Sequence, residues 1–150
     1  MKKICSAIRD VEAGDGVVII EPANIYECML GDNVFIGPFT EIQKGCKIGD
    51  SSRIQSHTFI CENVTMGKRC FIAHSVTFAN DLFKSGEPNP DPESWMEIIL
   101  GDDVTIGSGA IILAEEICSG TVIGAGSVVT KSIHKKGVYA GNPAKLLREL

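Results

Sequence analysis

Counting forward from Leu30, every sixth residue is apolar: Leu30, Ile36, Ile42, Ile48, Ile54, Ile60, Met66, Ile72 and Phe78. Neither the 3.6-residue period of a helix nor the two-residue alternation of a strand yields such a run. Four residues after each member lies a second register, Val34, Thr40, Cys46, Ser52, Thr58, Val64, Cys70 and Val76, all small or β-branched. A small residue often follows the aliphatic directly, as at Gly31, Gly37, Gly49, Gly67, Ala73 and Ala79. That suits a chain that bends sharply once per hexad.

The two registers predict a short strand on each hexad and a corner between hexads, so that three hexads make one triangular coil of 18 residues. Stacked coils pair as parallel strands roughly 4.8 Å apart, with Ile36 on Ile54 on Ile72. No single coil buries its own apolar face, but a stack of them does. The pattern resumes at Leu100, Ile106 and Ile112, then takes one step of five to Ile117, Ile123 and Val129, which places a shortened corner near Ala114 to Glu116. Upstream, Val18 and Asn24 keep the phase less well, so the first coil is expected to be irregular, with Asn24 as a polar rung. Residues 80–98 carry three of the six prolines and the only tryptophan and cannot continue a ladder; they predict an extruded loop. At the end, Asn142 followed by Pro143 and good helix formers predicts a short helix over 142–150. The expectation is one all-β domain over 1–150, a single-stranded parallel β-helix of about five triangular coils. Parallel crossovers are overwhelmingly right-handed, so periodicity alone does not supply a left hand.

Composition narrows the function. The net charge of −5, without a basic run, disfavours nucleic acid as a partner. No apolar stretch is long enough for a membrane span. The opening Met1-Lys2-Lys3-Ile4-Cys5 runs into Arg9, Asp10 and Glu12 where a secretory signal needs apolar residues. A cytoplasmic protein is expected. The six cysteines, Cys5, Cys28, Cys46, Cys61, Cys70 and Cys118, form no C-x-x-C pair and read as reduced thiols.

The hexads, together with Gly124-Ala125-Gly126-Ser127-Val128-Val129-Thr130-Lys131 and Ala140-Gly141-Asn142-Pro143-Ala144-Lys145, resemble the hexapeptide-repeat acyltransferases. That resemblance implies the left-handed form of the β-helix. More narrowly, Ser56-His57-Thr58-Phe59-Ile60-Cys61-Glu62 and the run from Phe71 through Phe78-Ala79-Asn80-Asp81 to Phe83 are similar to N-acetyltransferases of nucleotide-linked 3-amino sugars. Ala79 departs from the Thr typical there. The resemblance implies acetyl-CoA as co-substrate, no metal requirement, a nucleotide-linked 3-amino-dideoxyhexose acceptor of surface polysaccharide biosynthesis, and a homotrimer with active sites between subunits.

The 18-residue coil converts spacing into proximity. His57 lies 18 before Ser75, and His74 lies 18 after Ser56, which sets both histidines at one outward corner on adjacent coils. Glu62 lies 18 before Asn80, at the next corner, beside the base of the loop. An outward polar residue is by default solvated, and it is the pairing that makes these candidates. Acetyl transfer to an amine needs a positioned nucleophile and a route for one proton, and an imidazole is a base suited to neutral pH. Asn80, His74 and His57 are therefore the catalytic candidates, Asn80 orienting the amine. Glu62, Asp81 and Trp95 are candidates for substrate binding, Trp95 either stacking on a base or pinning the loop. CoA is expected along an outside groove near Gly107, Gly124 and Ala125, with Lys131 and Lys145 for its phosphates. His134 reads as a surface residue. Three rivals stand beside this: O-acetyl transfer to a hydroxyl, a non-enzymic trimeric scaffold, and a zinc site of the γ-carbonic-anhydrase kind. The last needs three histidines around one metal.

Overall fold

The computed structural model describes Met1 and residues 8–150; Cys5 and its neighbours in the opening segment lie outside the described residues. The chain winds as a left-handed parallel β-helix of three faces. One face stacks Val18–Ile19, Phe35–Ile36, Arg53–Ile54, Phe71–Ile72, Thr105–Ile106, Val122–Ile123 and Gly137–Gly141. There are thus seven rungs on this face, not the five coils expected from the hexads. The first winding, expected to be irregular, is one residue out of the hexad phase, with Ile19 and not Val18 opposite Ile36, and the last lies beyond the hexads.

The expected registers are the core. Every aliphatic from Leu30 to Phe78 in the six-residue series is at most 4% exposed, and every member of the small register from Val34 to Val76 at most 1%. Ile36 pairs with Ile54 and Ile54 with Ile72, and Ile72 then pairs across the loop with Ile106. Each fully buried aliphatic contributes about 1.5–3 kcal/mol relative to exposure. Hydroxyls and thiols in the small register spend their donors on carbonyls of the coil above: Ser52 Oγ on Gly67 (3.0 Å), Thr58 Oγ1 on Ala73 (3.1 Å), Cys46 Sγ on Cys61 (3.0 Å). Among the described residues no buried side-chain nitrogen or oxygen lacks a partner.

The short step falls as expected. Ile99–Leu100 pairs with Glu116–Ile117, and Ala114 is buried in the shortened corner. Upstream the expectation fails by one residue. Ile25, not Asn24, faces the core, because a second five-residue step separates Ile25 from Leu30. Strand Asn24–Leu30 continues unbroken round its corner, bending at Glu27 (φ 50°), so that its two ends pair on two faces. Asn24 points outward and accepts from the Arg9 guanidinium at 3.1 Å.

The C-terminal helix is not there. Ala144–Glu149 is a strand, antiparallel to Gly137–Gly141. Nine residues are too few to hold a helix without a face to bury. The end of the solenoid offers a row of unpaired backbone groups that a returning strand satisfies. The loop leaves and rejoins as expected within one residue: Ile98 is already in strand Ile98–Leu100, opposite Val64.

One corner is structural. The Asp32 carboxylate accepts from the Asp15 backbone N–H (2.9 Å), Asp50 from Asp32 (3.1 Å) and Asp102 from Lys68 (2.9 Å). Arg69 grips Asp103 through two 2.8 Å bonds. Its side chains tie each coil to the next.

Candidate active site

The corner that holds the histidines is built from five stacked turns: Gly37 to Thr40, Gln55 to Thr58, Ala73 to Val76, Gly107 to Ala110, and Gly124 to Ser127. The third residue of each turn is left-handed: Phe39 (φ 59°), His57 (62°), Ser75 (60°), Gly109 (69°) and Gly126 (67°). The second and third residues therefore form two parallel outward columns. His74 belongs to the first column and bonds through Nδ1 to Ser56 Oγ at 2.9 Å. His57 belongs to the second and stacks on Phe39, ring centroids 4.9 Å apart. The two histidines share the corner on adjacent coils, in neighbouring columns rather than one atop the other. Both are exposed.

Gly107 is needed for stacking, since a Cβ there would lie 2.5 Å from the Ala125 backbone nitrogen. Gly109 and Gly126 differ: a Cβ on either would meet nothing within 4 Å. Above the histidines the second column thus has no side chain, and the first carries only the short ones of Ser108 and Ala125, an open track that ends at Gly124 and Ala125. Lys145 sits on the antiparallel strand opposite Ala140, whose methyl abuts Gly124. Lys131 belongs to a different corner, and both lysines are exposed.

Glu62 and Asn80 meet at that other corner. The Asn80 amide donates to the Glu62 carbonyl oxygen at 3.2 Å, and the Asn80 carbonyl accepts from Met96 N–H at 3.1 Å. Entry and exit of the loop are tied at this residue. The Asp81 carboxylate accepts from the backbone N–H of Phe83 (2.9 Å) and of Asn89 (2.7 Å). Trp95 donates its indole N–H to the Asn89 carbonyl at 3.0 Å, and Asn89 donates to Ser94 Oγ at 2.7 Å. That bond ties Trp95 to the backbone of the loop, with its ring half-buried. Asn89, which the sequence did not single out, is the hub that Asp81, Ser94 and Trp95 share.

Between this loop and the wall of the solenoid lies a cavity of about 800 Å³, with Asn80 and Asp81 at its edge. Five carboxylates, those of Asp81, Glu87, Glu97, Glu115 and Glu116, line it together with the Lys84 ammonium and the His134 ring. His134 thus lines the cavity, 3.6 Å from Glu116. Its sequence signal was faint: it sits one residue past Ile133, the rung that stacks on Ile117. With His134 on the cavity wall, just past the Ile117–Ile133 rung, and His57 and His74 at their own corner, the three histidines do not converge on one metal, and no group of three metal-ligating side chains occurs among the described residues.

Residues 27–62 match the family model described as bacterial transferase hexapeptide (six repeats). The hexapeptide repeat that this model describes is the one that winds the solenoid. This hexapeptide-repeat chain is 26% identical to the bifunctional protein GlmU of Streptococcus uberis over 96% of its own length and 33% of that protein's. It spans about a third of the length of such curated relatives. Among solved structures it resembles a mutant of AntD, an N-acyltransferase from Bacillus cereus in complex with dTDP and coenzyme A. The TM-score is 0.81 at 24% identity, covering 92% of this chain and 83% of that one. A mutant of perosamine N-acetyltransferase from Caulobacter crescentus, in complex with CoA and GDP-perosamine, gives 0.73 at 22% identity, covering 88% and 57%. Identities this low establish the shared fold.

Proposed function

We propose that this chain is a cytoplasmic acetyl-CoA-dependent acetyltransferase acting on the amine of a nucleotide-linked 3-amino-dideoxyhexose for surface polysaccharide, as a homotrimer. The observation that carries the reading is the loop locked at Asn80 and Asp81 over a cavity rich in carboxylates. Such a lining attracts an ammonium group, and an acceptor held beside Asn80 has its amine oriented for attack. The AntD and perosamine complexes, each with CoA and a nucleotide or nucleotide sugar, support the same reading.

In this mechanism acetyl-CoA supplies the acetyl group as a thioester. The open track over Gly109 and Gly126 fits its pantetheine arm, along the line of Gly107, Gly124 and Ala125. Lys145 at the end of the track serves a phosphate as a point charge. His74 and His57 stand at the start of that track, and His74, its ring held by Ser56, takes the proton released from the amine. Asn80 lies at another corner of the same chain, so one centre containing both is formed where two subunits meet. In that arrangement the loop of one copy, with Glu62, Asp81 and Lys131, faces the histidine corner of the next.

The test is a panel of UDP- and dTDP-linked 3-amino and 4-amino sugars with acetyl-CoA, following release of free thiol. The 3-amino sugars are acetylated, and Asn80→Ala loses most of the turnover. A response confined to hydroxyl acceptors replaces this reading with O-acetyl transfer, and failure to bind CoA replaces it with a scaffold.

A further inference from the structure

The second column of the histidine corner carries a feature that acetyl transfer itself does not need. Phe39 is 59% exposed and holds a left-handed backbone (φ 59°), a conformation that costs a bulky residue more than the glycines at the equivalent positions Gly109 and Gly126. Its turn is held by backbone bonds on both sides, Phe39 N–H to the Pro22 carbonyl (2.6 Å) and His57 N–H to the Pro38 carbonyl (3.1 Å). The ring rests on His57, interplanar angle 28°, and not on the core. A strained corner thus presents two fixed, stacked aromatic rings to solvent, and the next three residues in the column, Ser75, Gly109 and Gly126, carry little or no side chain.

We propose that Phe39 and His57 form a stacking platform for the base of the acceptor's nucleotide, an inference that rests on the functional reading above. Base-on-aromatic stacking is tolerant of base identity and gains from rings already held in place. The position suits it. Phe39 lies two coils from His74 in the adjacent column, roughly 10 Å along the axis. The sugar amine sits at His74 while the diphosphate spans back to the platform. The thioester arrives from the opposite, glycine-lined end of the same corner, so donor and acceptor approach from opposite directions.

The test needs no turnover. Calorimetric titration of the full chain with dTDP, UDP and inorganic pyrophosphate, for wild type, Phe39→Gly and Phe39→Tyr, separates the base from the phosphates. The expected result is that wild type and Phe39→Tyr bind both nucleotides more tightly than pyrophosphate. Phe39→Gly weakens nucleotide binding tenfold or more, leaves pyrophosphate unchanged, and keeps the melting temperature and particle mass of wild type. Equal nucleotide affinity in Phe39→Gly overturns the platform, as does wild-type protein that binds no nucleotide. A loss accompanied by a lower melting temperature or a changed mass also overturns it, since Phe39 is then a folding or subunit-contact residue. Amino-sugar acetylation with unchanged Phe39→Gly binding sinks the platform alone, whereas Phe39-dependent nucleotide binding without acetylation upholds the platform and sinks the reading it rests on.

Discussion

Ser56 Oγ and His74 Nδ1 lie 2.9 Å apart, a bond between equivalent positions of successive coils that fixes one nitrogen of an otherwise exposed ring. In the tautomer whose Nδ1–H donates to the Ser56 hydroxyl, Nε2 keeps its lone pair and is the nitrogen able to take a proton.

If His74 takes the amine proton, His74→Ala lowers kcat by about a hundredfold. Ser56→Ala removes only the orienting bond, worth about 1 kcal/mol, and lowers kcat roughly fivefold. Steady-state kinetics on the best acceptor of the panel checks both. An unchanged kcat in His74→Ala removes the imidazole from the reaction.

Two glycines of the same corner separate close packing from backbone conformation. A Cβ on Gly37 would lie 2.7 Å from the Ser56 backbone nitrogen, so Gly37→Ala pushes two coils apart and costs about 3 kcal/mol. Gly109 has φ +69° and open space where its Cβ would be, so Gly109→Ala costs about 1 kcal/mol. Urea unfolding of the two variants gives the ranking, and a reversed order would contradict the packing account.

The legibility of this fold followed the regularity of the coil. From Leu30 to Phe78 the step is constant, so counting by 18 placed His57, His74, Ser56 and Ser75 at one corner and Glu62 beside Asn80. Upstream, Asn24 and Ile25 both offered a phase, and only the shortened corner at Glu27, five residues from Ile25 to Leu30, decides for Ile25. The last nine residues have the propensity of a helix but lie against an unpaired sheet edge, and the ladder overrides local preference. The interior of the loop was closed to sequence reasoning because it has no period: Asn89 as a hub, and the caps donated to Asp81, exist only through contacts between aperiodic positions. His134 is exposed, as expected, but its place beside the cavity was not legible, for a related reason. The cavity that it lines is made by the loop folding back on the wall, not by the repeat.

Because Trp95 is the only tryptophan and bonds to the loop's hub, its fluorescence reports loop order. Asp81→Ala removes the acceptor for both Phe83 and Asn89 N–H groups while leaving the stacked core untouched. The expected outcome is a red-shifted Trp95 emission with a global stability loss of no more than about 1 kcal/mol, and a raised KM for the acceptor. Unchanged emission would mean that Asp81 does not hold the loop.

The buried thiols set a limit on the alkaline side. Burial pushes Cys46 and Cys61 up to about 12, and Cys28 and Cys70 up to about 11, from an ordinary value of 9.0. Folding therefore favours the neutral thiol, and this contribution is whole below pH 9. As pH rises past 9 the unfolded chain ionises first, and stability is lost progressively until the folded thiols titrate at about 11 to 12. Thermal melts should accordingly fall steadily above pH 9, and Cys46→Ala, which removes one such group, should flatten that slope while lowering stability at pH 7 through the lost packing and the lost bond to the Cys61 carbonyl. A thiol reagent at pH 8 offers a second check, since thiolate is the reacting species. Half-buried Cys118 should react in the native protein, and Cys28, Cys46, Cys61 and Cys70 only after denaturant is added. Rapid native labelling of Cys46 would show that the corner opens at a cost far below that of global unfolding, contrary to a continuous stacked core.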